Sequence, residues 1–354
     1  MHMDYAEIYR LSIRVQCRPC VIPATQNLVA PAIHLPCFTN LCLKEDEDFF
    51  LRLNDSMSAV DGEETGGTMC CASCGKAEVD DIQLKQCACN LVKYCNLDCQ
   101  KDHRPQHKKA CKKRMAQLRD DKLFRQPDES HLGECPLCCL PLSLDLRKST
   151  MMSCCSQIIC DGCRYANTLR EKEEGLKHKC PFCREPAPDS QKECEKLAFE
   201  RVEKNDPVAL NCLGKRCDDE GDHEKAFEYY RKAAELGNLD GHYNLSLLYA
   251  EGEGVEKCKK KEIYHLEEAA IGGHTGARFN LGAHEYNAGR DERAIKHFII
   301  AAKLGCDGAL DKVKLIFVDG IVSKEDYAAA LRGHQAAVDA TKSTQRDAAE
   351  EFFK

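Results

Sequence analysis

Paired cysteines carry the chemistry of this chain. Of its 26 cysteines, seventeen fall between Cys70 and Cys183, mostly one to four residues apart. Two thiolates on a short turn supply half of a tetrahedral coordination sphere, and a distant second pair closes it. Eight ligand candidates come first: Cys71-x2-Cys74, Cys87-x-Cys89, Cys95-x3-Cys99 and His107-x3-Cys111. Eight more follow: Cys135-x2-Cys138, Cys154-Cys155, Cys160-x2-Cys163 and Cys180-x2-Cys183. At four ligands per ion, about four structural Zn2+ are expected per chain. Fully ligated zinc leaves no position for a reacting water, so hydrolase chemistry is not expected here. The metal folds the segment instead, supplying roughly 10–16 kcal/mol in comparable peptides.

The first set resembles the MYND finger, whose pairs interleave, first with third and second with fourth. Carried over, one site is Cys71, Cys74, Cys95 and Cys99, and the other is Cys87, Cys89, His107 and Cys111. The Tyr94-Cys95 step and the run from Gln100 to Lys109 match the family. Two features depart from it: a single residue separates Cys87 from Cys89, and no tryptophan precedes the histidine. His103, one turn earlier on the expected helix, rivals His107 as ligand.

The second set resembles a RING finger, a cross-braced two-zinc domain. The resemblance implies one site of Cys135, Cys138, Cys160 and Cys163, and a second of Cys180, Cys183 and two ligands near Cys154. Gln157 stands where that family carries histidine and is a poor zinc ligand, so Cys154 and Cys155 together are expected to serve. RING fingers commonly act as ubiquitin ligases, docking a charged conjugating enzyme and positioning its ubiquitin without a covalent residue of their own. Leu137, Pro181 and Arg184 match positions used in that docking.

A helical array follows. Leu213-Gly214, Leu245-Ser246 and Leu281-Gly282 recur at intervals of 32 and 36, and Ala233-Ala234, Ala269-Ala270 and Ala301-Ala302 at 36 and 32. The mismatch places four extra residues in the inter-helix turn of the second unit, around residues 253–257. Gly237, Gly273 and Gly305 fit the left-handed position that ends a helix. Gly214 and Gly282 fit where two helices approach too closely for a side chain. The pattern resembles Sel-one-like repeats, a tetratricopeptide-type subclass, over residues 206–306, with a terminal unit opened by a Ser323-x2-Asp326 cap. Such solenoids stack into a surface that engages protein segments. Cys212, Cys217, Cys258 and Cys306 lack ligand spacing and read as small apolar residues.

The expected architecture is multidomain: two small zinc-stabilised α+β modules followed by an all-α helical-repeat solenoid. Its boundaries are a low-order segment at 1–69, the first finger at 70–111, a basic helical linker at 112–133 and the second finger at 134–186. A linker helix at 187–205, the repeats with their capping unit at 206–340 and a tail at 341–354 complete it. Neither finger, at about 45–50 residues, can fold on apolar burial alone. Within the first segment Cys17-x2-Cys20 is a lone knuckle that Cys37 and Cys42 would have to complete, and residues 44–69 read as a solvated linker.

Net charge is −7, which argues against nucleic acid as partner despite ten Lys/Arg in residues 101–125. The chain opens with Asp4 and Glu7 rather than a basic signal region, and Pro23, Pro31 and Pro36 interrupt the early apolar stretch, so no membrane segment is expected. A reducing compartment follows, cytoplasm with the nucleus left open, where close cysteine pairs mean metal rather than disulfide. Two functions fit. One is a zinc-dependent ubiquitin ligase or ligase adaptor, with a ubiquitin-conjugating enzyme on the second finger and protein substrates on the repeats and first finger. The other is a non-enzymatic scaffold for protein–protein binding.

Overall fold

The computed structural model describes residues 70–78 and 83–353. The readings placed on residues 1–69, with Cys17, Cys20, Cys37 and Cys42, lie outside the described residues. The chain divides into two compact units that part between Lys122 and Leu123.

In the first unit, β1 (Lys85–Gln86) pairs antiparallel with β2 (Lys93–Tyr94), Lys85 opposite Tyr94. Helix α1 (Leu97–Leu123) starts directly after, and Asn96 Oδ1 accepts the Cys99 N–H at 2.8 Å. That contact satisfies one of the orphan donors of a helix start. The sequence places a basic helical linker at 112–133; α1 continues from the finger into it but ends at Leu123, and residues 124–133 are not helical. Pro105 lies inside α1 and removes one backbone donor, while the long Lys, Arg and Gln side chains around it favour helix. Among the described residues Leu84 and Tyr94, with Ala72, Val92 and Met115, form a small apolar core beside the cysteines. So small an apolar core needs a metal.

In the second unit a short 3-10 turn (Leu146–Lys148) leads to β3 (Ser149–Met151), which pairs antiparallel with β4 (Ile158–Cys160), Thr150 opposite Ile159. Helix α2 (Asp161–Glu173) follows. Leu142 and Ile159 pack there with Cys135, Cys160 and Cys163. After α3 (Gln191–Glu203) the solenoid proper begins. Its helices pair as α4 (Pro207–Asp219) with α5 (His223–Glu235), α6 (Leu239–Glu251) with α7 (Lys259–Ile271), and α8 (Thr275–Asn287) with α9 (Asp291–Lys303). Residues 252–258 join α6 to α7, where 220–222 and 288–290 suffice in the neighbouring pairs. The extra residues thus lie where the Leu-to-Ala spacing put them.

The paired alanines explain the close stacking. Ala233, Ala269 and Ala301 are completely buried, one per pair, where a larger side chain would force the helices apart. Gly282 does the same from the facing helix: a Cβ there would lie 2.7 Å from Phe298 Cε1. Gly273 ends α7 at φ +88°, a conformation costly to any L side chain. Helix α10 (Asp307–Val318) and α11 (Lys324–Ala340) close the array, with Ser323 Oγ accepting the Asp326 N–H at 3.0 Å.

The segment read as a tail is structured. Helix α12 (Thr344–Phe352) packs on α2, where Tyr165 meets Phe352 at 5.0 Å between ring centroids and Arg164 stacks on Phe353. Gln345 donates to the Gly162 carbonyl at 2.9 Å. Among the described residues no helix is long and apolar enough to cross a membrane.

Candidate metal centres

Four groups of four ligands converge, each with its donor atoms within 4.8 Å of one another. They are Cys71, Cys74, Cys95 and Cys99; Cys87, Cys89, His107 and Cys111; Cys135, Cys138, Cys160 and Cys163; and Cys154, Cys155, Cys180 and Cys183. Cys154 and Cys183 sulfurs are 3.4 Å apart and those of Cys155 and Cys180 3.9 Å, while Cys87–Cys111 and Cys138–Cys160 are both at 3.8 Å. A tetrahedron with bonds of roughly 2.3 Å has edges of about 3.8 Å. A disulfide would need about 2 Å. The donor set and spacing fit zinc.

One backbone device presents these ligands repeatedly. The Cys71 N–H donates to the Lys76 carbonyl at 2.7 Å while the Cys71 carbonyl accepts from Gly75 at 2.9 Å. Cys135 has the same two bonds with Leu140 and Cys139, and Cys180 with Glu185 and Arg184. The residue after each second cysteine is left-handed: Gly75 at φ +73°, Cys139 at +54°, Arg184 at +67°. That hairpin turns two Sγ atoms to one point.

The same frame explains the adjacent pair. Met152 bonds to Gln157 O at 2.9 Å and accepts from Ser156 at 2.8 Å, and Ser156 has φ +57°. Met152 therefore occupies the first-ligand position of a knuckle and Cys155 the second. Cys154, one residue earlier, takes over the lost ligand. In the Cys87-x-Cys89 turn the bond is one residue tighter, from the Asn90 N–H to the Cys87 carbonyl at 2.8 Å. The shortened spacing still delivers both sulfurs.

His107 Nε2 lies 3.1 Å from Cys89 Sγ and 3.6 Å from Cys87 Sγ. The rival His103 is used differently: its Nδ1 bonds to Tyr94 Oη at 3.0 Å and its ring stacks on His107. It braces the ligand.

Thiols gathered this closely oppose one another's ionisation. Backbone donors led by Cys74 bring Cys71 down to about 6, while bonding with Cys95 and then burial push Cys99 up to about 12. A hydrogen bond from Cys160 brings Cys135 down to about 4, and burial pushes Cys163 up to about 12. In these two pockets one thiolate forms readily and the remaining thiols resist ionisation. A bound dication removes that opposition and holds all four as ligands.

His131, Asp240 and His274 also converge, but their chemistry is different. His274 Nδ1 accepts the Ala277 N–H at 3.1 Å, so its own proton sits on Nε2, 3.3 Å from Asp240 Oδ1. His131 Nε2 lies 3.3 Å from the same oxygen. Burial alone would raise the Asp240 carboxyl, yet these two imidazoles hold it below the usual range. The trio is a hydrogen-bonded tie.

The docking residues expected of the second module divide. Leu137 and Arg184 are exposed, whereas Pro181 is buried in its knuckle and cannot offer a contact surface. Phe182, 43% exposed, stands at the surface beside it. Cys217 is buried in the repeat core, but Cys258 and Cys306 are half-buried N-cap residues of α7 and α10.

Residues 71–111 match the MYND finger family, and residues 209–238, 239–274 and 276–306 each match the Sel1 repeat. The chain carries a MYND finger followed by Sel1 repeats. Among solved structures it is similar to a Sel1 repeat protein from Oxalobacter formigenes, at 23% identity over 51% of this chain and 72% of that one, TM-score 0.37. It is also similar to a protective antigen present in uropathogenic Escherichia coli strains displaying an SLR fold. There identity is 21% over 54% of this chain and 40% of that one, with TM-score 0.34. No curated protein matches. The MYND finger binds zinc, and the cysteine groups together are compatible with several structural zinc sites. Finger and repeats together make a protein-interaction architecture.

Proposed function

We propose that the chain is an adaptor whose second cysteine-rich module acts in the manner of a RING finger, recruiting a ubiquitin-conjugating enzyme to proteins held elsewhere on the chain. The observation that carries this reading is the cross-brace. Ligands of the third and fourth groups alternate along residues 135–183, around β3, β4 and α2. Leu137 at 40% exposure, Phe182 and Arg184 stand on the surface of its first and last knuckles. Apolar and cationic side chains displayed on rigid turns suit a protein partner.

Purified chain, combined with activating enzyme and a panel of conjugating enzymes, should autoubiquitinate. Leu137→Ala and Arg184→Ala should each abolish transfer at unchanged zinc content. Silence across the panel would favour the second reading, a scaffold without transfer activity, which the burial of Pro181 already favours by narrowing the surface left for an enzyme.

A further inference from the structure

The repeat surface is already engaged by the chain itself. Leu123 is 1% exposed and belongs to the apolar cluster of Tyr243, Leu266, Ala277 and Leu281. Its carbonyl accepts from Arg278 Nη1 at 2.6 Å. Phe124 follows, its ring 4.8 Å from that of His297 and beneath the Arg293 guanidinium at 4.7 Å. Further along, the His131 N–H donates to the Gly273 carbonyl at 3.2 Å and the His131 ring stacks on His274 at 4.1 Å. Residues 124–131 thus run without helix across the second and third repeats, and with Leu123 they are fixed by three side chains, of Leu123, Phe124 and His131, and by two backbone groups, the Leu123 carbonyl and the His131 N–H.

The fit is incomplete. Arg278 is fully buried, yet its two hydrogen bonds go to neutral carbonyls, of Leu123 and Ala270, and its Nε has no partner among the described residues. His297 is fully buried, and neither ring nitrogen has a hydrogen-bond partner among the described residues. A covering segment chosen only for the closed state would be expected to satisfy such groups. One that must leave need not.

We propose that residues 123–131 are a removable plug, and that the surface beneath takes an external protein segment presenting adjacent aliphatic and aromatic side chains, as Leu123 and Phe124 do. This rests on the reading of the repeats as a protein-docking surface. The plug keeps that surface closed until a competing segment arrives.

The test uses the full chain and a fluorescein-labelled peptide of residues 122–132. The Leu123→Ala/Phe124→Ala chain should bind the peptide at least tenfold tighter than wild type, and a peptide with alanine at the Phe124 position should not bind. Equal affinity for both chains overturns the inference. Absence of binding to a variant that keeps wild-type zinc content and helicity overturns both the plug and the docking role of the repeats. Hydrogen exchange in the wild-type chain gives a second measurement if the variant does not fold. The His131 amide should exchange by local opening, with weak denaturant dependence, while amides within α8 exchange only on unfolding. If His131 opens only together with α8, the plug is permanent, and the inference alone fails.

Discussion

The guanidinium of Arg346 lies 3.5 Å from Sγ of Cys138, a metal-site ligand 208 positions earlier in the chain. The same side chain donates to the carbonyls of Pro141 at 2.7 Å, Leu140 at 3.1 Å and Thr341 at 2.7 Å. A helix at the far end of the described chain therefore holds the first knuckle of the second cysteine module in place and places positive charge beside its thiolate. Arg346→Met keeps much of the packing but removes these donors. Partners around ligating groups are worth about 10–100-fold in metal affinity, so chelator competition should show zinc leaving this site at correspondingly lower chelator concentration. Urea unfolding should lose about 1–3 kcal/mol for the carbonyls left without a donor. Unchanged zinc retention would mean that the contact with Cys138 has no electrostatic role.

The knuckle centred on Met152 predicts which side chains hold the fourth metal. Cys154→Ser and Cys155→Ser should each lower zinc content by about one ion per chain, because three ligands do not make a closed structural site. Gln157→Ala should retain the full complement, since Gln157 contributes its backbone carbonyl to the turn. Elemental analysis of the three purified variants decides it. A zinc loss in Gln157→Ala alone would overturn the assignment.

The converging cysteine groups were legible in the sequence because a knuckle is local: with Cys135 and Cys138 three apart, one hairpin aims both at the same point. Repeat boundaries were legible for a similar reason, since Leu281 and Ala301 mark one helix pair through their spacing. What escaped was non-local. Nothing in the spacing of Thr344–Phe352 signals that Arg346 reaches Cys138. A nine-residue amphiphilic helix with Phe352 and Phe353 at its end reads as a tail until α2 is present to receive it. The seat of Leu123 in the repeat core escaped likewise, because a basic run with one Leu-Phe pair looks like a solvated linker. Pro181 was misjudged on geometry: the turn that orients Cys180 and Cys183 folds the proline inward.

Helix contact in the third repeat can be probed at one atom. At Gly282 a Cβ meets the Phe298 ring at 2.7 Å, within a pair of rigid helices, so Gly282→Ala forces them apart. Overpacking of this kind costs about 1–3 kcal/mol, more than the roughly 1 kcal/mol that alanine gains over glycine in a helix. Gly308→Ala in α10 is the control, because the nearest atom to its Cβ is Phe279 Cε2 at 3.8 Å. Denaturant midpoints should fall for the first variant and hold or rise for the second. A stabilised Gly282→Ala chain would show that the two helices are free to separate.

Acid should weaken the second unit through its buried histidines. Burial pulls His297 down from its usual 6.5 to about 3, with the charges of Arg278 and Arg293 adding to it, and burial with His131 nearby brings His274 to about 4. Both imidazoles are therefore neutral in the folded chain at pH 5, whereas in the unfolded chain they take up protons below pH 6.5. Stability from this source is complete above the unfolded value and declines as pH falls toward 3 or 4, by about 1.4 kcal/mol per pH unit for each residue. His297→Leu removes one of the two proton sites and both unbonded ring nitrogens, while an apolar side chain still packs against Phe124. Between pH 7 and pH 5 the variant should lose about 2 kcal/mol less than wild type in urea unfolding. Acid also protonates the metal-binding thiolates, but that loss is common to both chains and cancels in the comparison. Equal losses in the two chains would place a water or another acceptor on His297 and remove the cause of its depressed basicity.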